Sequence, residues 1–282
     1  MWHPCSKMTS SVYADPEPGP AFAAVGRLSW GTSFAQRHPV PQHLMKFIAV
    51  IPARLESQRL PRKMLREIRG KPLAVWVYQA VRQSPLLEDV IIATDSEEIL
   101  DLSGKHSCSA RMTSSKHRSG TERVHEVSQS LNADVYVNVQ GDEPMIRPAH
   151  IEALVGLMKS ASVPVGTLMT PASPDDISSP NAVKVVSDRD GRALYFSRST
   201  IPYDRDRSHP RYFKHLGIYA YRKAVLEQFV SLPESALERA ERLEQLRFLE
   251  NGIPIYVAET PYDSIGVDTE EDLARVASLL GK

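Results

Sequence analysis

Residues 47–51 form an unbroken apolar run, FIAVI, followed at once by Pro52 and a loop that carries Arg54, Ser57, Arg59 and Lys63. A run of that length and β-branched content suits a strand buried on both faces of a parallel sheet, and Pro52 is expected to end it. Three cations and a hydroxyl just past the carboxyl end of such a strand stand where open α/β sheets bind ligands, and their chemistry suits a polyphosphate. The loop has neither the Gly-Lys-Ser/Thr ending of a Walker A sequence nor a GxGxxG turn. Taken alone, it also fits a solvated basic loop.

A strand-then-helix rhythm continues downstream. Leu73, Val77, Ala80 and Val81 recur at helical spacing, and residues 89–94 read as a second buried strand. Asp95 with Glu98 resembles a capping box that opens the next helix. The first two strands are therefore expected to be parallel, with a right-handed crossover. Residues 110–113 are a short candidate strand. Ser119 with Glu122 fits a second capping box, and equally a ligand contact. Residues 135–139 read as a strand that runs into Gln140, Gly141, Asp142 and Glu143. Two carboxylates after a glycine suit a hard metal ion, and also an ordinary acidic turn.

After a helix over 148–159 and a strand over 164–170, the rhythm changes. Residues 183–187 and 193–197 flank Asp188-Arg189-Asp190-Gly191, a hairpin turn, so antiparallel strands enter here. Residues 215–221 read as a strand, 235–250 as one long helix ended by Asn251-Gly252, and 253–257 as a last strand. Asp268 precedes a closing helix; with Glu271 it is either an N-cap or a functional carboxylate.

The totals narrow the class of function. With 34 Lys plus Arg against 34 Asp plus Glu, no net field favours nucleic acid or a membrane surface. Two cysteines, Cys5 and Cys108, are too few for a disulfide framework or a zinc cluster, and no apolar run approaches the roughly 20 residues of a membrane helix. A cytoplasmic protein without nucleic-acid or membrane partners is expected. Residues 1–44 hold six prolines (Pro4, Pro16, Pro18, Pro20, Pro39 and Pro41) and no periodicity. They read either as a disordered tail or, since Met45 directly precedes the first strand, as an artefact of start-site choice.

Nine blocks then occur in one order: AVIPARxxSxRLPxK, ATD, SGTER, VNVQGDEP, PNAVKVV, ALYFSRxTIP, HLGIYAYR, LEQLR and GVDTxEDL. Together they resemble the 3-deoxy-manno-octulosonate (KDO) cytidylyltransferase family, from about Lys46 to the C-terminus. The resemblance implies an α/β fold of the nucleotide-diphospho-sugar transferase kind, a Rossmann-like, doubly wound and mainly parallel sheet over residues 45–282. A smaller antiparallel lobe within about 171–234 would build a homodimer contact and part of the sugar site. The implied reaction is transfer of CMP from CTP to KDO with release of pyrophosphate, on the route to lipopolysaccharide, with Mg²⁺ as cofactor.

The same resemblance implies roles for individual residues. Arg54, Ser57, Arg59 and Lys63 would hold the triphosphate, and Ser119 and its neighbours would read cytosine. Asp142 and Asp268 would hold Mg²⁺, which can also acidify the attacking hydroxyl of KDO, so no side-chain base is assigned. Gln140, Arg198, His215, Tyr219, Glu244 and Gln245 would bind the sugar acid, with Arg198 pairing to its carboxylate. His215 and Tyr219 also fit as satisfied residues of a half-buried strand. Two positions depart from the pattern. Arg62 stands where the family commonly has Gly, and would stiffen the loop or add a phosphate contact; Ser114 replaces an arginine near the base-reading block. Rival readings are a cytidylyltransferase for an amino-KDO or for sialic acid, and a sugar-nucleotide binder without chemistry.

Overall fold

In the computed structural model, which describes residues 45–57 and 59–280, the apolar run is strand β1 (Phe47–Ala53). After a 3-10 turn (Lys63–Leu65) come β2 (Glu67–Ile68), β3 (Lys71–Pro72), α1 (Leu73–Arg82), β4 (Asp89–Thr94), α2 (Glu97–Lys105), β5 (Ala110–Met112), α3 (Gly120–Ser130) and β6 (Val135–Asn138). The chain continues through α4 (Pro148–Met158), β7 (Val165–Pro171), α5 (Pro174–Ser178), β8 (Lys184–Ser187), β9 (Ala193–Ser197) and β10 (Phe213–Arg222). It ends with α6 (Lys223–Ser231), α7 (Ala236–Glu241), α8 (Leu246–Glu250), β11 (Ile255–Glu259) and α9 (Glu270–Leu279). The expectations for residues 1–44 concern a segment outside the described residues.

Among the described residues the main sheet has nine strands. Its path is β11-β7-β10-β6-β1-β4-β5, with β8 added on β10 and β9 on β8. β1 lies between β4 and β6 and is parallel to both, whereas β10 is antiparallel to both β6 and β7. The result is the expected α/β, mainly parallel sheet with an antiparallel part. Side chains along β1 alternate between two cores: Ala49 and Ile51 pack with Val75, Val77 and Leu154, while Ile48 and Val50 pack with Val124, Val127 and Phe229. Burial of each such side chain stabilises the fold by roughly 1.5–3 kcal/mol, which is why the run tolerates no polar residue.

Three expectations are corrected. Pro52 does not end the strand, which continues to Ala53. The carbonyl of Val50 accepts from Val139 N, so Pro52, two residues on, faces the same side beyond the end of β6, where no N–H is needed. Asp95 is not the cap of α2. Ser96 is, accepting from Ile99 N, and the Asp95 carboxylate is taken by Leu55 N at 3.3 Å and Arg123 Nη2 at 2.9 Å.

The single helix expected over 235–250 is two. Arg242 is left-handed (φ 54°, ψ 46°) and closes α7, residues 243–245 turn, and α8 begins at Leu246. Across the break, the Glu238 carboxylate accepts from Arg247 Nε at 2.7 Å and Nη2 at 2.5 Å, with both side chains buried. Leu243 and Leu246 stay in the core, so the apolar stripe survives the break.

Candidate active site

The carboxyl ends of β1 and β6 meet the N-terminus of α3, and glycine permits the approach. A Cβ on Gly141 would lie 2.7 Å from the Pro52 carbonyl oxygen and 2.9 Å from Met64 Sδ, so only glycine fits there. Ser119 caps α3 as expected, accepting from Glu122 N at 3.3 Å. The reciprocal half of that capping box is not formed, because the Glu122 carboxylate accepts from the backbone and guanidinium of Arg118. Between these elements lies a pocket of about 210 Å³, lined by Arg54, Ser57, Lys63, Ser119 and Asp142. Arg59 lines the larger cleft beside it.

Asp268 is drawn to the same place. It does not cap α9: Thr269 does, and the Asp272 carboxylate accepts from the backbone N–H of both Asp268 and Thr269 at 3.0 Å. The Asp268 carboxylate instead accepts from Lys63 Nζ at 2.9 Å through Oδ1 and pairs with Arg59 Nη2 at 2.8 Å through Oδ2. Lys63 Nζ also lies 2.5 Å from Asp142 Oδ2. Burial alone would lower the Lys63 pKa; Asp142 first, and Asp268 after it, outweigh burial and raise it, so the ammonium keeps its charge. Among the described residues no group of three or more His, Cys, Asp or Glu assembles as a metal cage. Two carboxylates converging at a phosphate-type pocket nonetheless fit a hard divalent ion that takes its remaining ligands from phosphate oxygens and water.

The larger cleft, about 970 Å³, is lined by Gln140, Arg198, His215, Tyr219, Glu244 and Gln245, all six residues expected around the sugar acid. The broken helix turns Glu244 and Gln245 into it. Thr121 Oγ1 donates to Glu244, whose carboxyl is raised by burial against the lowering effect of hydrogen bonds from Ser119 and Thr121. Burial pushes the His215 pKa down to about 3 and the Tyr219 hydroxyl well above its ordinary value, so both are neutral. Arg198 is more committed than expected. Its guanidinium donates to the carbonyls of Glu241 at 2.8 Å, Pro180 at 3.0 Å and Arg242 at 3.5 Å, pinning the β8–β9 hairpin to the end of α7. That leaves two of its five N–H groups for a ligand.

Two features went unassigned in the sequence. Arg123 is buried and joins Asp95 to Thr113, and since Asp95 also holds Leu55 N, this pair anchors the loop after β1 to α3. Both residues stand in quoted blocks, ATD and SGTER, which was the available signal. Glu143, quoted with Asp142 as a pair of carboxylates suiting a hard metal ion or an acidic turn and given no role of its own by the resemblance, lines the larger cleft; its Oε2 accepts from Ser264 Oγ at 2.8 Å. Of the two departures, Arg62 is left-handed (φ 55°, ψ 33°), the conformation a glycine would serve there, and its guanidinium pairs with Glu98 in a separate groove. It lines neither of the two cavities. Ser114 lines neither as well; its N–H donates to Glu126 at 2.9 Å.

Known proteins match this chain over nearly all the described residues. The cytidylyltransferase family profile covers residues 48–258. A 3-deoxy-manno-octulosonate cytidylyltransferase of Koribacter versatilis is 64% identical over 237 residues, spanning 84% of this chain and 90% of the relative. One from Chloroherpeton thalassium is 49% identical over 243 residues, spanning 84% of this chain and 99% of the relative. The solved structure of CMP:2-keto-3-deoxy-manno-octonic acid synthetase complexed with CTP superposes with a TM-score of 0.80 at 44% identity, covering 83% of this chain and 98% of that one. With sequence blocks, fold and relatives in agreement over the same span, the chain belongs to the cytidylyltransferase family and, within it, to the 3-deoxy-manno-octulosonate cytidylyltransferases.

Proposed function

We propose that this chain transfers CMP from CTP to KDO, releasing pyrophosphate and activating the sugar acid for lipopolysaccharide assembly. The observation that carries the reading is a set of shared lining residues. Gly120, Gln140 and Asp142 line both the cation-lined pocket and the larger cleft, so a nucleotide in one and a sugar acid in the other would lie side by side against the same residues.

In this reading Arg54, Arg59 and Lys63, with Ser57, orient the triphosphate and offset charge that grows on the leaving pyrophosphate. The anomeric 2-hydroxyl of KDO attacks the α-phosphorus, and the bond to the β-phosphate oxygen breaks. Mg²⁺ held by Asp142 and Asp268 would supply charge neutralisation across the phosphates and acidify that hydroxyl. Gln140, His215, Tyr219, Glu244 and Gln245, with the spare donors of Arg198, hold the sugar acid in line. The protein works in the cytoplasm as a homodimer through its antiparallel lobe. In support, among the described residues β9 pairs as a strand with β8 alone, apart from one bridge from Arg192 to Tyr256 at its start, and Leu194 and Tyr203, in and after β9, are 60% and 86% exposed. No helix among the described residues is long and apolar enough to cross a membrane.

Pyrophosphate release from CTP and KDO with Mg²⁺ tests the reading, repeated with UTP, with sialic acid and with an amino-KDO. CTP with KDO is expected to give the highest kcat/KM. Faster turnover of another sugar acid would reassign the substrate, and light scattering at several concentrations checks the dimer.

A further inference from the structure

Lys63 is drawn on for two tasks. Its ammonium carries three N–H donors, and two of them reach Asp142 Oδ2 at 2.5 Å and Asp268 Oδ1 at 2.9 Å. The second oxygen of Asp268 is 2.8 Å from Arg59 Nη2. Both carboxylates assigned to the divalent cation are thus already matched by two cations of the loop assigned to the triphosphate. Lys63 is well enclosed, its side chain only 10% exposed, so little solvent reaches the ammonium, while Asp142 and Asp268 at 26% and 40% exposed stay open to an incoming ion. A hard ion can take the same oxygens only where the ammonium gives them up, because two positive centres crowded on one pair of carboxylates repel each other. A triphosphate offers the ammonium replacement acceptors of higher charge in the pocket that Lys63 and Asp142 both line.

We propose that Lys63 is an internal counter-ion that keeps a divalent metal out of the Asp142–Asp268 pair until a nucleoside triphosphate draws the ammonium away, so that metal and nucleotide load together. The inference rests on the assignment of those two carboxylates as metal ligands under Proposed function. It gives Lys63 a positioning role distinct from phosphate binding: the ammonium holds Asp268 in place across 205 residues of chain before any substrate arrives.

Mn²⁺ serves as the probe, with the free ion counted by electron paramagnetic resonance during titration of the full chain, with and without a non-hydrolysable CTP analogue. The parent protein should bind Mn²⁺ about 10-fold or more weakly without the analogue than with it. Lys63→Met should tighten nucleotide-free Mn²⁺ binding by about 10-fold, whereas Lys63→Arg, which keeps the charge, should stay near the parent value. Arg59→Met, at an exposed residue that puts the fold at little risk, should tighten it less, because of the two carboxylates Arg59 pairs with Asp268 and not with Asp142.

Thermal melts on the same samples establish that each variant is folded. A folded Lys63→Met protein with parent or weaker Mn²⁺ affinity overturns the proposal. So does a Lys63→Arg protein that tightens as much as Lys63→Met, or, if Lys63→Met does not fold, an Arg59→Met protein with unchanged affinity. Asp142→Asn separates the two levels. If it leaves Mn²⁺ binding with the analogue untouched, the metal assignment itself fails and the proposal with it; if it abolishes that binding while Lys63→Met changes nothing, only the counter-ion role fails.

Discussion

His215 Nε2 stands 3.0 Å from Thr167 Oγ1 across the seam between β10 and β7, and the pairing settles which ring nitrogen carries the proton. The threonine hydroxyl has a single hydrogen, and the carbonyls of Ile218 at 2.7 Å and Leu216 at 3.3 Å take it. Nε2 is therefore the donor to Thr167, and Nδ1 is the acceptor. Burial holds the folded pKa near 3 against an ordinary 6.5. Below pH 6.5 the unfolded chain binds a proton that the folded one refuses, so stability falls as pH drops from 6.5 towards 3. The slope from this one group is up to about 1.4 kcal/mol per pH unit. His215→Gln should flatten that limb in urea melts at pH 7, 5.5 and 4.5. Equal slopes in both proteins would assign the limb to other groups.

Asp268→Asn should lower kcat by about 10²–10³-fold while moving the thermal midpoint little. The carboxylate is 40% exposed, and the cap of α9 belongs to Thr269, so the fold depends on it weakly. Pyrophosphate release and a thermal melt on the same preparation check both halves. Turnover at the parent rate would remove Asp268 from the chemistry.

Gly141→Ala should be far more damaging than Gly120→Ala. At Gly141 the new methyl meets a backbone oxygen at 2.7 Å, whereas at Gly120 the nearest atom is a Pro52 side-chain carbon at 3.4 Å, an ordinary contact. The expected cost at Gly141 is about 1–3 kcal/mol of stability together with weakened CTP binding, read by melts and calorimetry.

Removing one partner of the Glu238–Arg247 pair should cost about 3–5 kcal/mol, because the other is left buried and charged. The turn that delivers Glu244 and Gln245 would loosen with it, so the KM for KDO should rise more than that for CTP. The double variant Glu238→Leu with Arg247→Met should regain much of the stability and little of the KDO affinity. A double variant as unstable as the singles would show that the pair matters through shape rather than charge.

Arg62→Gly should leave CTP affinity unchanged and move stability by no more than about 1 kcal/mol. Relief of a left-handed side chain is opposed by the backbone entropy of glycine and by loss of the exposed pair with Glu98. Arg62→Val keeps the strain, loses the pair, and should be the less stable of the two in chemical melts. A CTP affinity that falls in Arg62→Gly would restore the phosphate contact considered for this residue.

The strands were legible because β1, β4 and β6 are buried on both faces, which demands uninterrupted apolar residues, and the hairpin because DRDG supplies its turn with Gly191 at φ +78°. The break at Arg242 was not, since a left-handed arginine leaves no mark in the sequence and the apolar stripe runs straight through it. The cap slipped by one residue at Asp95, and the cap alternative left open at Asp268 went to its neighbour, for a related reason. Each sits beside a residue equally able to cap, Ser96 and Thr269, and each carboxylate is claimed by partners remote in sequence. Blocks of sequence brought the cavity-lining residues into view. The commitments of Arg198 were invisible, because its partners are backbone carbonyls that any residue could provide.

The wall common to both cavities constrains how such a scaffold can change. A substitution at Gln140 or Asp142 alters both chambers together, so under the proposed assignment taste for a different acid would drift along the bank the first pocket does not share, where Val183 and Arg198, at the foot of the β8–β9 hairpin, and the α7–α8 turn line the cleft. New sugar preferences would spread inward from that shore while the grip on the triphosphate stayed as it was.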